Sequence, residues 1–360
     1  MSKARELANL GNAYSDGALS NRNLIINGGC AVNQRGTVTG INESSEKYGG
    51  PDRFALYSFT TSNSAVFTAS QQDTNKAEFA RCYRATCTNA ASTVMSSSQE
   101  IKIAYNIEAS SLLGLQYGYP TAKKVTLSFW VRSNVTGAAA IWFFREDTTR
   151  QNGKIYTINA ADTWEYKSVV IDGDTVSGIP DDNGKGLSIN WILASGPDYL
   201  SGTNPNGTWE NITNPNRYVG HTLDIGQDVN DYFDITGVQL EVGDTATPFE
   251  HRSYGDELQK CQRYYQVNGG IDEENEGVGA AYSTAALRGQ RQTFPVTMRA
   301  TPSVTISNGE YYNGAWVTDA TVISSDISPD GFCTNYSKTS AFVTRGSYPI
   351  QYGYSADAEI

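Results

Sequence analysis

Between residues 24 and 249, apolar and polar residues alternate with the period of two that is typical of half-buried β-strands. The segment at 125–132 (VTLSFWVR) is the clearest case, because every second residue from Val125 to Val131 is apolar. Similar segments lie at 101–107, 139–144, 165–171, 189–194 and 235–242, and turn-forming clusters separate them at 133–137, 172–178 and 180–186. Many short strands with no helices between them predict a mainly β domain at 24–252, an antiparallel jelly-roll β-sandwich.

A helical period appears near the N-terminus. Leu7, Leu10 and Tyr14 fall at i, i+3 and i+7, which predicts a short helix at 2–14 with one apolar stripe. A helix of this length is marginal alone in water, so it must pack against another surface. We therefore expect residues 1–23 to be an N-terminal attachment helix and linker, with Leu7, Leu10 and Tyr14 forming the attachment or oligomerisation contact.

A second short helix is predicted at 253–267 (SYGDELQKCQRYYQV), where Ser253 and Asp256 fit a capping box. Leu258, Cys261 and Tyr265 share one face of it. We expect it to connect two domains, because residues 268–360 again read as β structure. Strand-like segments there lie at 294–296, 302–306, 341–344 and 350–354. They predict a smaller C-terminal β-sandwich domain that contacts a receptor or forms a trimer interface.

The acidic net charge disfavours some classes of binding partner. The chain has 360 residues, a formal net charge of −11 and only 18% charged residues. An acidic surface repels phosphate backbones and anionic lipids, which disfavours nucleic-acid or membrane-surface binding. No apolar run is long enough to span a membrane, and the polar N-terminus lacks the core of a secretory signal. The protein is therefore expected to fold in a cytoplasm.

The cysteines and histidines offer little metal chemistry. Five cysteines are scattered with no CxxC spacing, and there are only two histidines, His221 and His251, which makes a zinc site improbable. Cys82 and Cys87 are close enough in sequence to bridge across a tight loop. The odd total and wide scatter favour reduced, buried thiols instead, and both alternatives stay open at this point.

The segment ITGVQLEVGDTATPFEHRSY at 235–254 runs directly into ELQKCQRYY. It resembles the closing strand and following helix of a β-sandwich module in tail-fibre and appendage proteins of bacteriophages, especially marine and cyanobacterial ones, and it is the most specific of several such segments. Residues 23–36 (NLIINGGCAVNQRG) with PDRF at 51–54, and FWVRSNVTG at 129–137, resemble its opening and central strands. Residues 2–23 are similar to its leader, and FPVTMRATPSV at 294–304 resembles the start of C-terminal fibre domains.

This resemblance implies a structural virion protein whose module is related in shape to carbohydrate-binding jelly rolls. It implies a homotrimer, attachment to other phage structural proteins through the N-terminal segment, contact with host surface glycans by multivalent weak binding, and location in the virion after assembly in the host cytoplasm. No catalytic set belongs to the motif, so we expect no enzyme. A capsid decoration or cement protein is the alternative, and a polysaccharide depolymerase tailspike is disfavoured because no 20–50-residue repeat predicts a β-helix.

Aromatic residues are the candidates for glycan contact, because C–H groups of a sugar ring pack well on an aromatic plane. Trp209 lies in a polar loop at 201–217, and Tyr311, Tyr312 and Trp316 surround a predicted hairpin turn at Asn313. Packing in a core or between subunits explains these positions about equally well. Trp130 and Trp191 lie inside strand patterns and are expected in the core, and Trp164 is expected to be a structural anchor.

Carboxylates and nucleophiles offer little catalytic chemistry. The turn pairs Asp172/Asp174 and Asp181/Asp182 are expected to cap turns or face water, and no G-x-S-x-G elbow is present. No cofactor is predicted. Carbohydrate-binding jelly rolls often hold a structural calcium, and the resemblance would place its ligands near the closing strand. These candidates are Asp231, Asp234 and Glu241.

Overall fold

The computed structural model describes residues 22–59, 65–91, 95–204, 206–268, 275–339 and 342–360. The chain divides into two compact units, of which the first reaches Tyr254 and includes Ile360, and the second comprises Gly255–Glu359. The predicted helix at 2–14, with Leu7, Leu10 and Tyr14, lies outside the described residues.

The first unit is built from short antiparallel strands and 3₁₀ helices. The strands are β1 (Val38–Ile41), β2 (Lys47–Tyr48), β3 (Phe54–Phe59), β4 (Val66–Asp73), β5 (Arg81–Asn89), β6 (Glu100–Glu108), β7 (Val125–Ser133), β8 (Gly137–Arg145), β9 (Arg150–Ile158), β10 (Glu165–Ile171), β11 (Lys185–Ser195), β12 (Glu210–Asn211) and β13 (Tyr232–Val242). The 3₁₀ helices are Ala109–Leu115, Pro197–Tyr199 and Asn214–Asn216.

These strands form two antiparallel sheets. The first sheet has the order β1-β4-β5-β13-β7-β10, and the second has the order β12-β9-β8-β11-β6-β3-β2. Their inner faces meet in a shared aromatic core, where the Phe129 ring on β7 lies 5.8 Å from the Trp191 ring on β11, centroid to centroid. The predicted antiparallel jelly-roll β-sandwich is confirmed.

The alternation along β7 decides which side chains enter that core. Val125, Leu127, Phe129 and Val131 are all fully buried and face inward. The residues between them point to the opposite side, because successive side chains of a strand alternate between the two faces. All six strand segments of the first unit that the sequence pattern predicts are confirmed within β6, β7, β8, β10, β11 and β13.

In its described residues, the second unit contains one helix and one sheet. The helix is α1 (Tyr254–Gln262), and the strands are β14 (Tyr265–Asn268), β15 (Asn275–Ser283), β16 (Ala286–Gly289), β17 (Gln292–Thr293), β18 (Ser303–Tyr312), β19 (Trp316–Val317), β20 (Thr321–Ser328), β21 (Gly331–Ser337) and β22 (Ser347–Asp357). No helix in the described part of the chain is long and apolar enough to cross a membrane.

The sheet of the second unit has the order β17-β21-β16-β15-β22-β18-β19, with β14 also on β22 and β20 also on β21. Ser324 Oγ on β20 donates a hydrogen bond to the Val304 carbonyl on β18 (3.0 Å), so the sheet folds back towards itself. Phe332, Tyr336 and Ile350 are fully buried in the core that this closure makes.

Three predicted elements of the second unit differ from the structure. The helix predicted at 253–267 ends at Gln262, because residues 265–268 pair with β22 and this long-range pairing overrides the helical period. The segment 294–296 is not a strand, since β17 ends before Pro295, which has no N–H to donate to a ladder. Of the segment predicted at 341–344, the described residues 342–344 form no strand. The strands predicted at 302–306 and 350–354 are confirmed within β18 and β22.

All five cysteines are buried, and none of them forms a disulfide bond. Cys82 and Cys87 lie on the same strand, β5, about 17 Å apart at the rise of an extended chain, so they cannot bridge. Burial raises the pKa of Cys30 to about 12, which keeps that thiol protonated at neutral pH. The reduced-thiol alternative is therefore the correct one.

Candidate glycan-contact site

An exposed aromatic hairpin lies at one end of the second unit's sheet. Strands β18 and β19 are joined by a three-residue turn in which the Asn313 amide donates to the Ala315 carbonyl (3.0 Å). Gly314 has φ +83°, a left-handed conformation that side chains beyond glycine disfavour. The turn places Tyr312 directly opposite Trp316 across the ladder.

Tyr312 and Trp316 form a solvent-exposed pair. Each is 42% exposed, and their ring centroids lie 5.6 Å apart with 72° between the planes. This edge-to-face arrangement fixes the two rings against each other, because aromatic quadrupoles favour it. A sugar ring could therefore stack on either plane without the site first having to order itself.

Tyr311 belongs to the core and not to the contact surface. It is 2% exposed, its ring packs against Phe342 and Tyr348, and its hydroxyl donates to Asp319 Oδ1 (3.2 Å). Burial raises its pKa, and the nearby Asp319 carboxylate adds to the shift. The expectation that Tyr311 contacts glycan is wrong, because neighbours along a strand point to opposite faces.

Polar and apolar groups surround the exposed pair on the same sheet. Glu310 lies opposite Gln351 on β22, whose amide donates to Glu310 Oε2 (2.6 Å). Pro349, two residues before Gln351 on β22, is exposed and pairs with Val278 on β15. The Val278 side chain is 52% exposed. The surface thus combines aromatic planes, an amide and a carboxylate, which are the groups that bind the C–H faces and hydroxyls of sugars.

Trp209 is buried, contrary to the expectation from its polar loop. It is 7% exposed, its Nε1 donates to the Asp172 carbonyl (2.7 Å), and its ring meets Tyr117 edge-to-face at 5.9 Å. Arg150 Nη2 donates to the Trp209 carbonyl (3.1 Å). The loop folds onto the sandwich, so this indole is a packing residue and offers no surface for stacking.

The two tryptophans expected in the core differ in their burial. Trp191 is fully buried at the centre of the sandwich, as predicted. Trp130 is only half-buried on the outward face of β7, so its assignment to the core is wrong. The alternation of β7 already implied this, because Trp130 is out of phase with Phe129 and Val131. Trp164 is anchored by its Nε1, which donates to the Thr74 carbonyl (3.2 Å).

The calcium candidates do not form one site. Asp234 is fully buried and engaged by Arg84 and Arg132, while Asp231 accepts backbone amides of a tight turn. Glu241 accepts from the amide and hydroxyl of Thr247. Over the described ranges, no group of three or more His, Cys, Asp or Glu side chains could hold a metal ion. Each of these carboxylates has a structural partner in place of a cation.

Asp172 and Asp174 differ sharply in their exposure to solvent. Asp172 is half-exposed and pairs with Lys124, as expected for a turn residue. Asp174 is 1% exposed and pairs with Arg145 and Arg150, so the expectation that it faces water is wrong. In the second pair, Asp182 Oδ1 caps its turn by accepting from the Gly184 amide (2.7 Å), as predicted.

Both histidines lie in the first unit, where His221 is buried and His251 is exposed. His221 Nδ1 accepts from the Ala140 amide (3.1 Å), and burial lowers the pKa of this imidazole to about 4. His251 stacks on Phe79 and meets Phe249 edge-to-face. Among the described residues, neither imidazole forms a hydrogen bond with a hydroxyl or thiol of the kind that activates a nucleophile.

No protein-family model and no curated protein sequence matches the chain. Solved structures that resemble part of it include the enzymatically active domain of tailspike protein 4 of bacteriophage CBA120, at 13% identity and a TM-score of 0.29, covering 62% of this chain but only 22% of the tailspike chain. A family 11 carbohydrate-binding module of a Clostridium thermocellum cellulosomal cellulase is 12% identical, covers 57% of this chain and 100% of that one, and has a TM-score of 0.27. A xylan-binding domain from Paenibacillus barcinonensis is 14% identical, with 52% and 91% covered and a TM-score of 0.25. Every one of these TM-scores is below 0.3, so the similarity extends to no more than part of the fold.

Proposed function

We propose that this chain is a non-enzymatic structural subunit of a bacteriophage tail fibre or appendage, which contacts neutral glycans on the host surface through Tyr312 and Trp316. The observation that carries the proposal is the exposed, mutually fixed aromatic pair at the tip of the hairpin. The resemblance of residues 235–254 and of the leader to phage fibre proteins supports the virion assignment. The described β-sandwich architecture suits a particle subunit.

The chemistry of the hairpin favours a neutral sugar. The aromatic planes supply apolar contact for C–H groups, while Glu310 and Gln351 supply acceptors and a donor for hydroxyls. The Glu310 carboxylate beside the rings repels an anionic sugar. A shallow surface of this kind binds each glycan weakly, so attachment depends on several copies acting together.

A role without catalysis is supported by the partners of the carboxylates. Asp174 and Asp234 are each held by two arginines, and Glu241 is held by Thr247. Carboxylates fixed in this way are not available as a glycosidase acid and base, which must face a substrate groove. Release of reducing sugar from host polysaccharide would contradict this part of the proposal.

The binding site is tested with the full chain on an array of neutral oligosaccharides. We expect wild type to be retained and the double variant Tyr312→Ala/Trp316→Ala to lose at least about tenfold of its apparent affinity, because avidity multiplies the loss at each site. Tyr282→Ala is the matched control, since this tyrosine is 63% exposed but lies about 13 Å along β15 from Val278. Retention of the double variant on the same glycans as wild type would refute the site.

A homotrimer is proposed as the assembly. Light scattering of the purified chain should give about three times 39.1 kDa. Removal of residues 1–23 then separates two arrangements: survival of the trimer places its contacts in the β units, and its loss places them in the leader. A monomer in both forms would contradict an autonomous fibre.

A further inference from the structure

A second aromatic surface lies on the first unit, on the outward face of its first sheet. Because Val125 to Val131 point every second side chain into the core, Trp130 and Arg132 of β7 point outward. Tyr166 on β10 lies opposite Trp130 in the ladder, with the ring centroids 5.4 Å apart. Tyr166 is 46% exposed. We call this surface the Trp130 face.

A lysine adds a positive charge to the Trp130 face. The Lys76 ammonium lies 3.4 Å from the centroid of the Trp130 ring, which is a cation–π contact. Among the described residues Lys76 forms no ion pair with a carboxylate. Its charge is therefore held against the ring of Trp130, which in turn packs against Tyr166.

Two arginines extend the face along the next row of the sheet. Asp234 on β13 lies opposite Arg132 on β7 and Arg84 on β5. Arg84 donates to it from Nε (2.6 Å) and Nη2 (2.8 Å), and Arg132 donates from Nε (2.9 Å) and Nη2 (2.7 Å). The single Asp234 carboxylate balances only one of the two guanidinium charges, so this trio carries a net positive charge. These hydrogen bonds do not use the Nη1 group of either arginine.

Aromatic rings also hold both guanidinium groups in place. Arg84 lies 4.1 Å from the ring centroid of Tyr232, and Arg132 lies 4.7 Å from that of Trp164. At the rim, the Tyr232 hydroxyl donates to Asp162 (2.5 Å). The arginines are therefore preorganised, which reduces the side-chain entropy lost when they bind an anion.

We propose that the Trp130 face binds an acidic oligosaccharide built from uronic acids. The exposed Tyr166 ring receives the C–H face of one sugar ring beside Trp130, and Lys76 with Arg132 receives the carboxylate. Trp130 and Arg132 are two residues apart on one strand, about 7 Å, so an aromatic plane and a cation are offered within the reach of one or two sugar units. On a chain of net charge −11, cations held in this way favour an anionic over a neutral sugar.

The test compares two probes that differ only in charge, trigalacturonate and galactotriose, with trimannuronate as a second acidic probe. Calorimetric titration of the full-length Tyr312→Ala/Trp316→Ala variant, which lacks the proposed neutral-glycan site, should detect an acidic probe and no galactotriose. The affinity should fall when salt is raised from about 50 to about 500 mM, because exposed charges are screened. Lys76→Gln should weaken acidic binding about threefold, and Tyr166→Ala about threefold to tenfold. Both positions are at the surface, so the fold should be kept.

Two control variants locate the effect. Tyr119→Ala removes another exposed tyrosine of the first unit, 65% exposed, and should leave acidic binding unchanged. Tyr312→Ala/Trp316→Ala should also leave it unchanged, so failure of this inference and failure of the proposed function are distinguishable. The inference is overturned if neither acidic probe binds, if galactotriose competes equally, or if Tyr119→Ala weakens binding as much as Tyr166→Ala.

Discussion

Replacement of Asp174 by asparagine should destabilise the first unit severely. Asp174 Oδ2 accepts from Arg145 Nη1 (2.5 Å) and from Arg150 Nε (2.7 Å), and Oδ1 accepts from the Val176 amide (3.1 Å). The side chain of Asp174 is fully buried, and those of Arg145 and Arg150 are 2% and 7% exposed. Burial lowers the pKa of Arg145, and the Asp174 carboxylate opposes that effect. Asparagine keeps the shape but leaves two buried cations without a counter-charge.

The expected magnitude follows from this burial. Removal of one partner of a buried ion pair costs about 3–5 kcal/mol, so we expect the free energy of unfolding to fall by about 4 kcal/mol. For a unit of this size, that corresponds to a fall in Tm of about 10 °C. The control is Asp172→Asn, which breaks the exposed pair with Lys124 (2.9 Å) and should leave the free energy of unfolding nearly unchanged, because solvent screens this pair.

Urea unfolding followed by tryptophan fluorescence is a suitable assay, because five of the six tryptophans lie in the first unit. The Trp209 indole is a local reporter, since its Nε1 is bonded to the Asp172 carbonyl and its own carbonyl to Arg150. If Asp174→Asn and Asp172→Asn destabilise the unit equally, the buried charges do not carry the energy assigned to them.

Three further predictions concern titration, backbone conformation and thiols. His221 stays neutral in the native state down to its pKa of about 4, whereas in the unfolded chain it takes up a proton near pH 6.5. The free energy of unfolding should therefore fall by about 3 kcal/mol as the pH drops from 6.5 to 4. Denaturation curves of His221→Gln should lack this part of the pH dependence. Gly237→Ala should be more destabilising than Gly40→Ala by about 1–3 kcal/mol in the same assay. Both glycines have positive φ, but a Cβ at position 237 would lie 2.6 Å from the Phe79 ring, whereas a Cβ at position 40 would meet no atom within 4 Å. Equal losses of stability would exclude that clash. The five buried thiols should resist a thiol reagent in the native state and all react in urea, and rapid native labelling would contradict their burial.

The sequence pattern predicted six strands of the first unit because their alternation is a local property. For β10 the predicted and observed bounds are identical, and for β7 they differ by one residue. The same alternation, applied to single residues, distinguishes buried Tyr311 from exposed Tyr312 and places Trp130 outward. The exposed hairpin pair was accessible from sequence for this reason.

What the sequence could not provide depends on contacts between distant segments. Trp209 lies in a polar loop, and it is buried by its ring contact with Tyr117 and by the bonds to the Asp172 carbonyl and to Arg150, all on other segments of the chain. The cationic row needs Arg84, Arg132 and Asp234 to become neighbours, although they lie on three strands far apart in the chain. A strand partner for residues 265–268 likewise comes from β22 and cannot be read from the helical period of the segment.

The position of β13 between β5 and β7 has a consequence for the kinetics of folding. Phe233 pairs with Ala85 and with Ser133, which precede it by 148 and 100 residues. Such a high contact order makes closure of the first sheet slow, because long loops must be ordered before these pairings form. Until β13 arrives, β5 and β7 present unpaired edges to other nascent chains. Productive folding at high expression therefore competes with edge-to-edge aggregation, and a chaperone that shields these edges should raise the yield of native protein.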